Sequence, residues 1–390
     1  METYPFLKAF HLIPKISSKG IFEETLQRLF SLADIQLDGR RPWDINVHDA
    51  RFYKRVLTEG SLGLGESYMD GWWDCSRLDE FFYRVLKSKL DEKVTSFQSV
   101  LLEIVSRLVN LQSKRRAGIV AQKHYDMGND LYAAMLDPSM NYSCGYWKQA
   151  STLEDAQISK LELVCQKLYL KSGMTLLDIG CGWGSLAKFA ASKYGVSVVG
   201  ITLSKEQQKW AQKICKGLPV EIKLQDYREI QHQLFDRIVS IGMFEHVGYQ
   251  NYGLFMKSVH RNLKEDGLFL LHTIGSNQSD TCTDAWINKY IFPNSMLPSA
   301  KQITESIQGL FIMEDWHNFG ADYDKTLLSW QAKFIEHWPE LAQKYGPRFY
   351  RMWVYYLSSC AAAFRVRKNQ LWQIILSKSG VEGGYIRSSL

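Results

Sequence analysis

Residues 175–185 read TLLDIGCGWGS, and no other stretch restricts the architecture as much. An apolar run ends in Asp178, and glycines stand at Gly180, Gly182 and Gly184. A buried strand therefore stops and the chain turns tightly into a helix. Glycine lets the backbone approach a ligand where a Cβ would collide, and the first turn of a helix offers N–H groups without intrahelical partners. Such a turn belongs at the carboxyl end of a strand in an open α/β sheet, where small molecules bind. Strands are predicted at 175–179, 196–200, 221–224, 235–241 and 268–274, with helices between them, for example 185–194 and 205–215. That alternation predicts a doubly wound α/β sheet with helices on both faces. Lys264-Glu265-Asp266-Gly267 reads as a turn before the fifth strand. An insertion from about 275 to 313 interrupts the sheet, and an aromatic-rich tail closes the chain.

The spacing G-x-G-x-G departs from the dinucleotide pattern, and the second strand runs to Thr202 with no carboxylate beside it. A dinucleotide needs an acidic residue about twenty positions on. Asp178 would repel phosphate and suits a ligand amine. S-adenosylmethionine carries that amine and no phosphate, and the segment resembles motif I of the class I methyltransferases. Asp226, in LQDY after the third strand, stands where such folds place an acceptor for the adenine amino group.

A chain of 390 residues can bury a sizeable core and suggests two domains. Lys+Arg 47 against Asp+Glu 41 gives +6, compatible with an anionic surface and too small to argue for nucleic acid. Seven cysteines without a C-x-x-C suggest reduced thiols in a cytoplasmic protein, and no metal is expected. METYPFLKAFHLIPK lacks the apolar core of a signal peptide. No apolar run reaches the length of about eighteen residues needed for a span, so membrane contact is expected to be peripheral.

In the N-terminal part, residues 21–33 place Phe22, Leu26, Leu29 and Phe30 on one helical stripe. Residues 59–75, EGSLGLGESYMDGWWDC, predict a tight structured loop, since Tyr68, Trp72 and Trp73 supply apolar mass. An amphipathic stretch at 100–109 leads to Lys114, Arg115 and Arg116, read on charge alone as a solvated connector. In the α/β part, Glu245 and His246 follow the fourth strand and His272 lies in the fifth, so these polar groups face the same crevice as Asp178. A carboxylate and an imidazole converging there can manage a proton or hold a small anion. Cys144 reads either as a nucleophile lacking an adjacent base or as a small buried residue. Tyr323 sits in a predicted aromatic loop with Trp316, Phe319 and Asp322, and Cys360, on a predicted helix among alanines, reads as core.

With SLGLGESYMDGWW, KRRAGIVAQKHYDMGNDLY, MNYSCGYW, LLDIGCGWGSLA, LQDYRE, SIGMFEHVG, LLHTIGS, WINKYIFPNSMLPS, WHNFGADYD and LWQI, the chain resembles the bacterial cyclopropane-fatty-acyl-phospholipid synthases over nearly its full length. The resemblance implies a Rossmann-like class I methyltransferase sheet at 125–390, a smaller, mainly helical N-terminal domain at 1–105 and a linker at 106–124. It implies transfer of the methyl group of S-adenosylmethionine to a cis double bond of a phospholipid acyl chain, closing a cyclopropane ring. Tyr142, Ser143, Asp178, Gly180, Gly182, Gly184, Thr202, Leu203, Gln207, Asp226 and Tyr227 would line the cofactor site. Cys144, Glu245, His272, Ile274 and Tyr323 would surround a bicarbonate that takes the proton lost at ring closure, and Cys360 matches a cysteine named as catalytic. Trp330, Phe334, Trp338, Trp353, Tyr355, Tyr356 and Trp372 are expected to wall a dry acyl pocket. A homodimer is implied as well; peripheral placement at the inner face of the cytoplasmic membrane is expected, with the N-terminal domain and residues 114–116 docking on anionic headgroups.

Overall fold

The sheet is buried on both faces. In Thr175–Ile179 (β3), Leu176 joins one apolar cluster and Leu177 and Ile179 the other. The same alternation separates Leu270 from Leu271, and Ile375 from Ile374 and Leu376. A sheet whose alternate side chains are both buried must be covered on both faces. The computed structural model describes residues 18–93, 128–231 and 233–387 and separates into two compact units, 1–97 and 98–390. The predicted linker, the stretch at 100–109 and the basic residues 114–116 lie outside the described residues.

In the second unit a seven-stranded sheet runs β5 (Val220–Leu224), β4 (Ser197–Thr202), β3, β6 (Phe235–Ile241), β7 (Leu263–Ser276), β9 (Asn369–Ser377) and β8 (Ile312–Asn318). The first five strands are parallel, and β9 runs antiparallel to both neighbours. This is the class I methyltransferase order, with its reversal between β3 and β6, and the crevice outside that reversal is where such sheets bind ligands. Helix Asn129–Met135 (α5) precedes the sheet, and helices Leu153–Lys167 (α6), Ser185–Tyr194 (α7), Lys205–Ile214 (α8) and Tyr252–Asn262 (α9) cover the faces. Thr152 starts α6 by accepting a hydrogen bond from the Asp155 N–H at 3.1 Å.

Four expectations change. Residues 264–267 are no turn: β7 begins at Leu263, which pairs with Phe235, and the next pair is Leu268 with Arg237. The four residues bulge from a continuing strand because fully buried Leu263 anchors it and Lys264 pairs with Asp236 at 2.7 Å. The insertion leaves the sheet intact; Ala285–Tyr290 (α10) and Ala300–Ile307 (α11) lead from β7 to the edge strand β8. The aromatic tail is one long helix, Ala321–Arg365 (α12), broken at Gly346 (φ 75°, ψ 166°) ahead of Pro347, and β9 then slots between β7 and β8. Tyr323 therefore stands in the first turn of α12 and not in a loop.

The fourth change is in the first unit. There Ser18–Ser31 (α1) buries Leu26 and Phe30. The stretch 59–75 is mostly helix: Arg51–Met69 (α2) kinks at Gly60 (φ 59°) and continues, leaving a short turn before Trp73–Asp74 (β2). Packing overrides the glycine content. A Cβ on Gly63 would stand 2.5 Å from the Arg55 carbonyl, and fully buried Trp73 packs against Phe52, Tyr68 and Phe81. Asn46–Val47 (β1) pairs with β2, and Leu78–Lys87 (α3) and Leu90–Lys93 (α4) complete the described part of the unit. Among the described residues no helix is long and apolar enough to cross a membrane.

Candidate active site

The glycine turn builds the first wall. Gly180, Gly182 and Gly184 all have positive φ (84°, 54° and 86°), which L side chains adopt at a cost. A Cβ on Gly180 would meet Met243 at 2.9 Å, whereas one on Gly182 would project into open space. That space is a cavity of about 200 Å³ bounded by Tyr142, Ser143, Asp178, Gly180 and Gly182, with Thr202, Leu203, Gln207, Asp226 and Tyr227 from the next two strand ends. Gly184 is the exception among the expected cofactor residues. It starts α7 and lies against Ala211, so close helix packing explains it.

Asp178 is 2% exposed, and burial lifts its carboxyl to about 7 against the pull of the Lys160 ammonium. The Thr202 hydroxyl donates to Gln207 Oε1 at 2.8 Å, and Ser204 caps α8 by accepting from the Gln207 N–H. Asp226 receives two bonds from the Arg228 guanidinium, each 2.7 Å, which fixes the carboxylate at the rim. Tyr142 meets Tyr356 OH at 2.9 Å and lies against Trp330 (centroids 5.2 Å).

A second group of buried polar residues is not part of the cavity lining. Glu245 lies in a single helical turn after β6, where Oε1 accepts from the Ile274 N–H at 2.7 Å and Oε2 has no partner. Burial lifts its carboxyl to about 7. His272 is 1% exposed, and burial holds its imidazole well below the ordinary range. Gln373, its register neighbour on β9, donates from Nε2 to His272 Nδ1 at 3.1 Å, leaving the Nε2 hydrogen of the neutral ring to donate elsewhere. The Tyr323 phenol is pushed well up by burial and by nearby Cys144 and Glu245, so it too is a neutral donor. Ile274 contributes its backbone.

The two groups interleave along the chain. Tyr142 and Ser143 line the cavity while Cys144 faces Tyr323, and Glu245 faces the second group while His246 lines the cavity. Cys144 is fully buried with its thiol pushed well up, beside the Gly145 carbonyl and Thr326 Oγ1, so it is no thiolate nucleophile. Cys360 lies one turn beyond Tyr356 on α12, its thiol raised to about 12; its surroundings are Ser359, Asp284, Tyr323 and Tyr356, apart from the Glu245–Ile274 bond.

Of the expected aromatic wall, Trp330, Phe334, Trp353, Tyr355 and Tyr356 are buried on α12, with Tyr323 against Phe364 at 4.5 Å. Trp338 is half-buried. Trp372 belongs elsewhere: it packs on Trp316 (5.0 Å) inside the sheet core, beneath Gly275. Sequence reasoning missed Gln157, Lys160 and Gln373. The first two are polar residues on the apolar stripe of α6, between Leu153, Ala156, Leu161 and Val164, and that mismatch was the available signal.

The family model for mycolic acid cyclopropane synthetase matches residues 112–374. The chain is 59% identical over 357 residues to the cyclopropane-fatty-acyl-phospholipid synthase of Escherichia coli (strain K12), covering 91% of this chain and 93% of that one. It is 34% identical over 283 residues to cyclopropane mycolic acid synthase 2 of Mycobacterium tuberculosis, covering 66% and 93%. Among solved structures, mycolic acid cyclopropane synthase CmaA1 complexed with SAH and CTAB matches with a TM-score of 0.63 at 34% identity, over 67% of this chain and 98% of that one. Coclaurine N-methyltransferase, at 22% identity and a TM-score of 0.66, shares the fold.

Proposed function

This chain belongs to the mycolic acid cyclopropane synthetase family, and from that premise we propose that it transfers the methyl group of S-adenosylmethionine to the cis double bond of an unsaturated phospholipid acyl chain, closing a cyclopropane ring. It is an S-adenosylmethionine-dependent methyltransferase, a cyclopropane-fatty-acyl-phospholipid synthase. The phospholipid assignment draws on coverage. The E. coli phospholipid synthase matches 91% of the chain, the mycobacterial mycolic acid enzymes only about two thirds.

The residues at the glycine turn fit the donor. Gly182 leaves the space that a Cβ would enter, Asp178 offers a buried acceptor for an amine, and Asp226 offers one for the adenine. Bound S-adenosylmethionine supplies an electrophilic methyl on a sulfonium leaving group. The protein's part is alignment and dryness, because an alkene is a weak nucleophile and water would capture the carbocation formed on the acyl chain. Buried Trp330 and Phe334 before the Gly346 break in α12, and buried Trp353 and Tyr356 after it, would supply apolar, π-rich walls.

The observation that carries the reading is the orphaned Glu245 Oε2. A buried carboxylate oxygen without a partner marks the place of a missing polar group. Cys144, Glu245, His272, Ile274 and Tyr323 would hold bicarbonate there, which supplies a base for the proton lost at ring closure. His272 and Tyr323 are neutral donors, and Glu245 titrates near neutrality, so the cluster accepts an anion without a clash of fixed charges. Membrane docking through the 1–105 region and the basic residues 114–116, at the inner face of the cytoplasmic membrane, and a homodimer complete the proposal. Two weak contacts in a dimer would act together on a lipid surface.

The test is expression in a bacterium lacking ring-containing lipids, followed by mass spectrometry of the acyl chains. Unsaturated chains should convert to products heavier by one CH2 that carry a ring. A hydroxylated or branched product, or unchanged chains, would overturn the proposal. Docking is tested by co-sedimentation with anionic vesicles, and binding indifferent to salt and to anionic lipid would overturn that part.

A further inference from the structure

We propose that Lys160 is a positioning residue that turns the Ser143 hydroxyl into a donor for the carboxylate of the bound methyl donor. The inference rests on the S-adenosylmethionine reading of the cavity. Gln157 and Lys160 lie one turn apart on α6, both 1% exposed. Gln157 Nε2 donates to the Ser143 carbonyl at 2.8 Å, and Lys160 Nζ donates to Ser143 Oγ at 3.0 Å and to Asn141 Oδ1 at 3.1 Å. Asn141 is itself tied to Asp137 through its N–H (2.8 Å) and its Nδ2 (2.9 Å).

Hydrogen-bond polarity then decides what Ser143 can do. An ammonium has hydrogens and no lone pair, so Ser143 Oγ accepts from Lys160 and its own hydrogen remains to be given away. Ser143, Lys160 and Asp178 all line the cavity. The site thus presents a donor backed by positive charge and, within electrostatic reach of that charge, a carboxylate. An α-amino acid terminus presents the complementary pair: a carboxylate that accepts and an ammonium that donates. A merely structural side chain at position 160 would be better served by an apolar residue of similar length, since burying an ammonium is costly. Burial pulls the Lys160 amine down to about 8, while Asp137, Cys144 and Asp178, the titratable groups acting on it, oppose that pull.

Calorimetry on the full chain with S-adenosylhomocysteine and with its decarboxylated analogue tests this. Lys160→Met should weaken S-adenosylhomocysteine by about 10- to 100-fold, the worth of a hydrogen bond to a charged group, and leave the analogue within about twofold. In turnover assays KM for the methyl donor should rise more than kcat falls. Ser143→Ala should show the same selective loss, and Lys160→Met should add little to it. Equal weakening of both ligands, or of neither, overturns the role. Should Lys160→Met fail to fold, equal weakening by Ser143→Ala does so instead. Failure of the unaltered protein to bind either ligand would sink the reading of the cavity itself, a distinguishable outcome.

Discussion

Glu245 reaches across two strand ends to Ile274, accepting its backbone N–H at 2.7 Å with one carboxylate oxygen and leaving the other buried without a partner. Glu245→Gln keeps this bond while removing the charge and the titration. It should leave the dissociation constant for S-adenosylhomocysteine within about twofold and lower kcat by about 100-fold or more, as for a group acting only in the transition state. Methyl transfer to unsaturated vesicles, beside calorimetry, separates the two effects. Unimpaired turnover would remove Glu245 from the proposed cluster.

The same carboxyl gives a stability signature. Its pKa rises from 4.5 in the unfolded chain to about 7 in the folded one. Between those values the native state binds the additional proton, so the contribution of Glu245 to stability is complete below about 4.5 and is lost as pH rises through about 7. Relative to Glu245→Gln, the unaltered protein should therefore lose on the order of 3 kcal/mol between pH 4.5 and 7. Urea unfolding of both proteins across that range measures it. A constant difference would contradict the buried, raised carboxyl.

Asp178 titrates in the cavity at about 7, and a ligand ammonium favours its ionised form. Binding of S-adenosylhomocysteine should tighten by roughly eightfold from pH 6 to pH 7.5, as expected for one such group. Asp178→Asn should flatten that dependence, and Gly182→Val should abolish binding, because a β-branched residue at φ 54° is strained and would fill the cavity. Calorimetry along a pH series reads both.

Much of the fold around the cavity is legible in the sequence alone. The apolar runs and glycines reproduced β3, β6 and α7 to the residue, because buried parallel strands and their turns leave a dense local signature. What stayed hidden was decided by packing over distance. The helix through Gly60 forms because Trp73 packs on its Phe52 and Tyr68, and the bulge at 264–267 because Leu263 is anchored on β6. Gln373 stands 101 positions from His272, and only the antiparallel placement of β9 makes them neighbours. The fold class and the glycine turn are local facts; the support around His272 is a topological one.

That support makes its own prediction. Gln373 donates to His272 Nδ1 and so selects the tautomer whose Nε2 carries the hydrogen. Gln373→Leu should lower kcat by about 10- to 100-fold with cofactor affinity unchanged, the scale seen when a second-layer partner is removed. Nitrogen chemical shifts of labelled His272 should report loss of the single tautomer, and a preserved shift pattern with normal turnover would contradict the role.

Gly275 links the core to the cluster. It follows Ile274 on β7, and a Cβ there would stand 2.0 Å from the Trp372 ring, a clash that a rigid indole in a packed core cannot relieve by small shifts. Gly275→Ala should destabilise the fold by about 1–3 kcal/mol, the cost of overpacking, read as a lowered urea midpoint with unchanged slope. Because the displaced strand carries the Ile274 N–H that holds Glu245, turnover should fall as well, with cofactor affinity kept. Trp372→Leu in the same chain removes the offending ring atoms, so the double variant should recover turnover relative to Gly275→Ala alone. A double variant as inactive as the single one would show that Gly275 acts by some route other than the indole beneath it.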